Sequence, residues 1–197
     1  SAKNLYDLMR TELLAGQYLD LLEQAKSNAS IDNILQVITF KSAKYTIERP
    51  LHMGALLAGA DGRTIQTLSD YGLPLGVAFQ LRDDMLGIFG DPETTGKPAG
   101  DDLREGKRTV LMAMTMEKAS DAARAELSAH LGRPDLSPEK IESLRALIIE
   151  TGAVADVEKL IDRLGEESVA AANSAAINEN ARPFLLALAE TAIRRSY

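Results

Sequence analysis

Two adjacent acids, Asp83 and Asp84, close the run Phe79-Gln80-Leu81-Arg82-Asp83-Asp84, and beyond them come Gly96-Lys97, Asp102 and Gly106-Lys107. Paired acids and spaced lysines around one glycine-rich loop are the parts needed to hold a diphosphate through magnesium ions. Residues three and four apart on a helix share a face, so Gln80, Asp83, Asp84 and Gly87 are expected to line one side together. Two neighbouring carboxylates there repel each other unless a cation sits between them. An isolated Asp-Asp is ordinarily a solvated helix end. This one lies in an otherwise apolar helix, two turns before the loop.

The loop is not a nucleotide-binding P-loop. That motif needs four residues between its first glycine and Gly-Lys, followed by Ser or Thr. Here Gly90 and Gly96 enclose five residues, Lys97 is followed by Pro98, and no strand-like run precedes them. Two further groups lie upstream. Lys41 and Tyr45 are four apart with Ser42 beside them, which by itself describes an amphipathic helix with snorkelling lysines. Gln17 and Asp20, within Gly16-Gln17-Tyr18-Leu19-Asp20, are three apart on the first helical stretch.

The elements that must position these residues are all helical. Apolar residues recur at spacings of three and four, and alternating strand-like runs are absent. Helices are predicted at 5–24, from 31 to 47 with an interruption at Glu48-Arg49-Pro50, on to about 60, and at 64–89 with a kink or break at Pro74. One long loop, 90–100, is too rich in Gly and Pro for a regular element. Helix is predicted again at 107–131, then from a Ser137-Pro138 start to Thr151-Gly152, and at 155–174 and 183–194.

With 197 residues the chain suits one domain with a sizeable core. A net charge of −7, with both signs interspersed, argues against a nucleic-acid partner. The apolar stretches are too short to span a bilayer, so a cytoplasmic protein without stable membrane insertion is expected. There is no Cys, which excludes disulfides and thiol chemistry, and the two histidines, His52 and His130, are far apart and read as ordinary helix or surface residues. Any metal here must be a hard ion held by carboxylates, which points to magnesium.

Taken together, these elements resemble the trans-isoprenyl diphosphate synthases, the polyprenyl synthetase family of all-helical prenyltransferases. The resemblance runs from Gly16-Gln17-Tyr18-Leu19-Asp20 through Lys41-Ser42-Ala43 to the C-terminus, and is most specific at Phe79 to Asp84 and the loop to Lys107, which is similar to the family's second aspartate-rich motif. There are departures. Gly87 stands where a third Asp is frequent, and Ser42 where threonine is usual. The family's first Asp-Asp-x-x-Asp motif, upstream of the Gly-Gln-x-x-Asp element, has no counterpart, so the chain reads as the C-terminal portion of a single catalytic domain, inactive alone.

The resemblance implies coupling of an allylic diphosphate to isopentenyl diphosphate, with Mg2+ as cofactor and a homodimer that pairs through helices including the first two. It implies Asp83 as a direct metal ligand, with Asp84 assisting through water or at the rim. Lys41 and Lys97 would contact the diphosphate, with Lys107 close by. Ser42, Gln80 and the region of Tyr45 would turn oxygen dipoles toward a carbocation. Gln17 and Asp20 would line the cavity, Asp20 near the metals. Arg194 and Arg195 read better as a solvated pair than as a closure over the second substrate. A non-catalytic regulatory subunit is the alternative reading. A terpene cyclase is weaker, since its second metal motif needs Ser or Thr where Gly87 stands. Product length is left open, with geranylgeranyl diphosphate slightly favoured over the geranyl and farnesyl products.

Overall fold

The computed structural model describes residues 2–25, 30–92, 96, 98 and 100–194, and every regular element among them is helical. The helices are α1 Ala2–Ala25, α2 Ile31–Ile38, a π-helical segment Thr39–Glu48, α3 Arg49–Leu57, α4 Gly62–Phe89, α5 Asp101–Glu105, α6 Val110–Lys118, α7 Asp121–His130, α8 Pro138–Glu150, α9 Ala153–Ala172 and α10 Arg182–Ile193. None is long and apolar enough to cross a membrane among the described residues.

The central element is α4. Asp61 caps its start, accepting from the Thr64 N–H at 2.8 Å. It then buries side chains on several sides: Tyr71, Leu75, Ala78, Met85 and Ile88 have no exposed surface. One apolar cluster joins its second half to α2, α6, α8 and α9. Another joins its first half to the π-helical segment and α10. Of the kink or break expected at Pro74, the break does not occur, since α4 continues through it. Proline inside a helix costs about 3 kcal/mol, and the full burial of neighbouring Tyr71, Leu75 and Ala78 offsets it.

The interruption expected at Glu48-Arg49-Pro50 is also absent, because the chain passes from α2 to α3 through the π-helical segment as one continuous helix. The Arg49 N–H reaches back five residues to the Lys44 carbonyl. That wider winding accommodates Pro50, which has no N–H of its own to place. Two helices grip this segment closely. A Cβ at Gly16 of α1 would fall 2.6 Å from the Lys41 nitrogen, and one at Gly76 of α4 would fall 2.4 Å from the Ala43 Cα. Lys41, Ser42 and Tyr45 are thus carried on backbone held from both sides.

A polar network fastens the same three elements to one another and to α3. Glu12 of α1 accepts from Lys44 Nζ at 2.6 Å, and from Arg49 Nη2 at 2.7 Å and Nε at 2.8 Å. His52, expected to be an ordinary helix or surface residue, is only 3% exposed. Its Nδ1 lies 3.2 Å from Arg49 Nη1, its Nε2 lies 3.0 Å from Ser69 Oγ, and Ser69 donates to Glu48 at 2.8 Å. Arg49 is always a donor, so His52 Nδ1 accepts and the ring is neutral.

Elsewhere the predicted helix at 107–131 divides in two, because Ser120 caps a new helix by accepting from the Ala123 N–H. The short α5 was not foreseen. Ser137 and Pro138 open α8 as expected. Between the helices predicted at 5–24 and from 31, residues 26–29 lie outside the described residues.

Two outcomes are expected in urea unfolding. Gly76→Ala is expected to cost about 1–3 kcal/mol through overpacking. Gly54→Ala, where an added Cβ meets nothing within 4 Å, is expected to gain up to about 1 kcal/mol. Equal effects of the two would contradict the close packing at Ala43. Burial pulls His52 below its ordinary 6.5, and Glu48 only partly opposes this. The unfolded chain therefore takes up its proton first as pH falls through 6.5, and stability is lost in that window. His52→Gln is expected to flatten the slope of unfolding free energy between about pH 7.5 and about pH 5.5.

Candidate functional site

Asp84 anchors the site. It is 3% exposed. Its Oδ1 accepts from Gln80 Nε2 at 3.0 Å, one turn back on α4, and from Lys107 Nζ at 2.8 Å. Gln80 in turn receives the Ser42 hydroxyl at 2.7 Å through its Oε1. Lys107 also donates to Asp102 Oδ2 at 3.3 Å. One hydrogen-bonded chain thus runs Ser42, Gln80, Asp84, Lys107, Asp102, joining the π-helical segment, α4 and α5 with the residues that follow it. Lys107 is thus a cation shared by Asp84 and Asp102.

Local backbone chemistry sets Lys107. Gly106, at φ 67°, ends α5 in the left-handed region that glycine enters without steric cost. The Lys107 N–H then bonds the Asp102 carbonyl at 3.0 Å and the Gly106 N–H bonds the Leu103 carbonyl at 3.3 Å, the paired closure of a Schellman motif. That turn folds the Lys107 side chain back over the first turn of α5, where Asp102 lies. Burial alone pulls the Lys107 ammonium down, but Asp84 and Asp102 outweigh it and hold it well above the usual lysine range. Burial pushes Asp84 up, and Lys107 and Gln80 counter it.

The other expected residues are placed as follows. Lys41 donates to Asp20 at 2.5 Å, both partly exposed, so α1 meets the π-helical segment at an ion pair. Gln17 is exposed one turn earlier on α1, and Tyr45 is 45% exposed. Asp83 is partly exposed and has no hydrogen-bond or ion-pair partner among the described residues. Lys97 and Arg195 lie outside the described residues. Arg194 pairs with Glu190 at 3.4 Å on the surface, in keeping with the solvated reading. Arg82, beside Asp83 in sequence, turns away and grips Glu158 of α9 with two bonds of 2.6 Å and the Ile193 carbonyl at 3.0 Å.

A hard divalent ion fits this donor set. Magnesium is typically held by one or two carboxylates plus waters and phosphate oxygens, and Asp83 offers an open carboxylate for that purpose. Among the described residues no three acidic or histidine side chains converge into a closed metal shell, so phosphate oxygens and water would complete the coordination.

Two features were missed. Asp102 was placed in the motif without a role, and the missing side chain at Gly87 was the only signal for it. A cavity of about 1130 Å3, lined by Ile34, Lys107, Arg108, Met112, Met116 and Leu131 among others, opens beside Lys107. Its apolar and basic walls come from separate elements, so no local pattern announces it.

A helical bundle that gathers an acid pair, lysines and a Ser-Gln dipole pair around one central helix has the architecture of the isoprenyl synthases. The chain belongs to the polyprenyl synthetase family, whose sequence profile matches residues 2–148. It is similar to the geranylgeranyl diphosphate synthase of Mycobacterium tuberculosis, at 35% identity over 185 residues covering 93% of this chain and 51% of that protein. A (2E,6E)-farnesyl diphosphate synthase of Mycobacterium bovis is 36% identical over 140 residues, covering 70% and 39%. The fold superposes on the geranylgeranyl pyrophosphate synthase of Corynebacterium glutamicum, complexed with isoprenyl diphosphate and magnesium, with a TM-score of 0.94 at 43% identity, over 99% of this chain and 55% of that one. The chain thus spans about half the length of the relatives it matches.

Removing one partner of a buried ion pair leaves the other charge uncompensated. Lys107→Met is therefore expected to lower unfolding free energy by roughly 3 kcal/mol, measured in urea at neutral pH. An effect within about 0.5 kcal/mol, the range of ordinary surface changes, would contradict the buried bridge.

Proposed function

We propose that this chain is the C-terminal portion of the catalytic domain of a trans-prenyltransferase, which condenses an allylic diphosphate with isopentenyl diphosphate into a short-chain polyprenyl diphosphate. The observation that carries the reading is the continuous chain from Ser42 through Gln80, Asp84 and Lys107 to Asp102, with the open carboxylate of Asp83 next to Asp84 in sequence. Membership of the polyprenyl synthetase family supports it, as do the names of the relatives.

In this reading Asp83 and the outer edge of Asp84 would hold magnesium against the allylic diphosphate. The metal, when bound, supplies charge neutralisation to the departing diphosphate. Lys107, with Lys41 and Lys97, meets the same negative charge as the carbon–oxygen bond breaks. Such groups help most when already in place, because no reorganisation is then needed at the moment of reaction. Asp84 and Asp102 hold Lys107, and Asp20 holds Lys41. Ser42 and Gln80 present oxygen dipoles toward the allylic carbon, with Tyr45 nearby. Gln17 lines the opening from α1.

The reading includes a cytoplasmic homodimer. Exposed apolar residues on α1, among them Tyr6, Leu14, Tyr18 and Leu21, support pairing through that helix. The unbroken chain of polar contacts supports a catalytic rather than a purely regulatory role.

In the whole protein that contains this chain, Asp83→Ala is expected to lower magnesium-dependent condensation of the two diphosphates by at least about 100-fold, measured with radiolabelled isopentenyl diphosphate. Undiminished turnover would overturn the assignment of Asp83.

A further inference from the structure

Gly72 and Gly76 stand four residues apart on α4, and the residues of the π-helical segment packed against them, Ala43 and Glu48, stand five apart. The contacts are backbone contacts. A Cβ built at Gly76 would lie 2.4 Å from the Ala43 Cα, and one built at Gly72 would lie 3.1 Å from the Glu48 Cα. The face toward α1 keeps the same step. Glu12 Oε1 accepts from Lys44 Nζ at 2.6 Å and from Arg49 Nη2 at 2.7 Å, and these two partners are again five apart. In an α-helix, with 3.6 residues per turn, a residue five further on lies about 140° away around the axis. Neither pair would then share a face.

The turn from Ala43 to Glu48 therefore holds one residue more than an α-helix on the same contacts would need. Because the winding is wide, the two ends of the segment stay in phase. At one end Lys41 donates to Asp20 at 2.5 Å and Ser42 donates to Gln80 at 2.7 Å. At the other, Glu48, Arg49 and His52 enter the buried polar network. If the turn tightened to α winding with every residue kept, one end would rotate by about 100° against the other. Lys41 and Ser42 would leave their partners. Pro50 opposes that tightening, because in an α-helix its ring meets the carbonyl four residues back, here that of Thr46. Pro50 and Thr46 are both exposed and stand outside the site.

We propose that Pro50 is a positioning residue: it locks the surplus residue into the wide turn and so keeps Lys41 and Ser42 directed at a bound allylic diphosphate. The ligand class rests on the prenyltransferase reading; the lock rests on the packing of Ala43 and Glu48 against Gly76 and Gly72.

The test compares four forms of the whole protein that contains this chain: wild type, Pro50→Ala, a deletion of Thr46, and the two changes combined. Each is titrated calorimetrically with inorganic pyrophosphate in magnesium buffer, and each is melted. Pro50→Ala is expected to weaken pyrophosphate binding about fivefold or more, since apparent affinity falls with the fraction of molecules in the competent winding. It is expected to melt no lower than wild type, because the best helix former replaces a proline. A purely structural role would not separate the two readouts in this way. The deletion alone forces α winding against Pro50 and is expected to melt lower. In the combined variant α winding keeps both glycine contacts without the proline, so it is expected to melt above the deletion alone and to bind within about twofold of wild type, a coupling that independent sites do not show. Wild-type affinity in Pro50→Ala, or a combined variant that melts no higher than the deletion or binds no better than Pro50→Ala, overturns the proposal. If wild type itself does not bind pyrophosphate, the diphosphate reading falls. The melting data then decide the lock alone: recovery in the combined variant upholds it, and no recovery overturns it.

Discussion

The site is organised by the need to neutralise one buried carboxylate. Asp84 sits on the central helix with 3% of its surface exposed, and an unpaired charge in that position costs several kcal/mol. Its counter-ion, Lys107, cannot come from α4, where the residues one turn away are Gln80, Leu81, Gly87 and Ile88. The charge is met from the far side of the glycine-rich loop, and the fold is arranged accordingly. α5 is short, a glycine reverses the chain at its end, and the Asp102 carboxyl fills the space beside Gly87 of α4. The ion pair that stabilises the bundle is also the one that presents a cation to the opening.

A second constraint lies on the opposite flank of α4. The π-helical segment packs so closely against α1 and α4 that a methyl group at Gly16 or Gly76 would overlap its backbone. Rigid backbone suits a segment that carries Lys41, Ser42 and Tyr45, whose side chains need defined directions. The Glu12, Lys44 and Arg49 cluster ties the same segment to α1. The link between the two flanks is Ser42 to Gln80 at 2.7 Å. It is short and uncharged, and it registers the π-helical segment against the acid pair.

Much of this was legible in the sequence, and what was not has identifiable causes. The helical class and the Ser137-Pro138 start could be read because they rest on local periodicity and capping, while most of the loop expected at 90–100 lies outside the described residues. The joining of Ser42, Gln80, Asp84 and Lys107 in one place was implied by resemblance rather than by spacing. The interruption expected at Glu48-Arg49-Pro50 did not occur, and the kink or break expected at Pro74 is not a break, since tertiary packing and a change of helical winding override a local preference. The role of Asp102 and the burial of His52 were not legible. Each depends on a contact between residues distant in sequence, and a glycine whose side-chain space a neighbour fills looks the same as any other.

In the proposed site Asp84 and Lys107 form a fixed buried pair, while Asp83 takes a metal-bound diphosphate. A crystal structure of the protein grown with magnesium and inorganic pyrophosphate tests this most directly. The expected result is a magnesium ion on the Asp83 carboxylate, pyrophosphate oxygen within hydrogen-bond distance of Lys107 Nζ, and the contacts of Lys107 to Asp84 and Asp102 unchanged. Pyrophosphate bound away from Lys107, or an ion seated between Asp84 and Asp102 with Lys107 displaced, would contradict it.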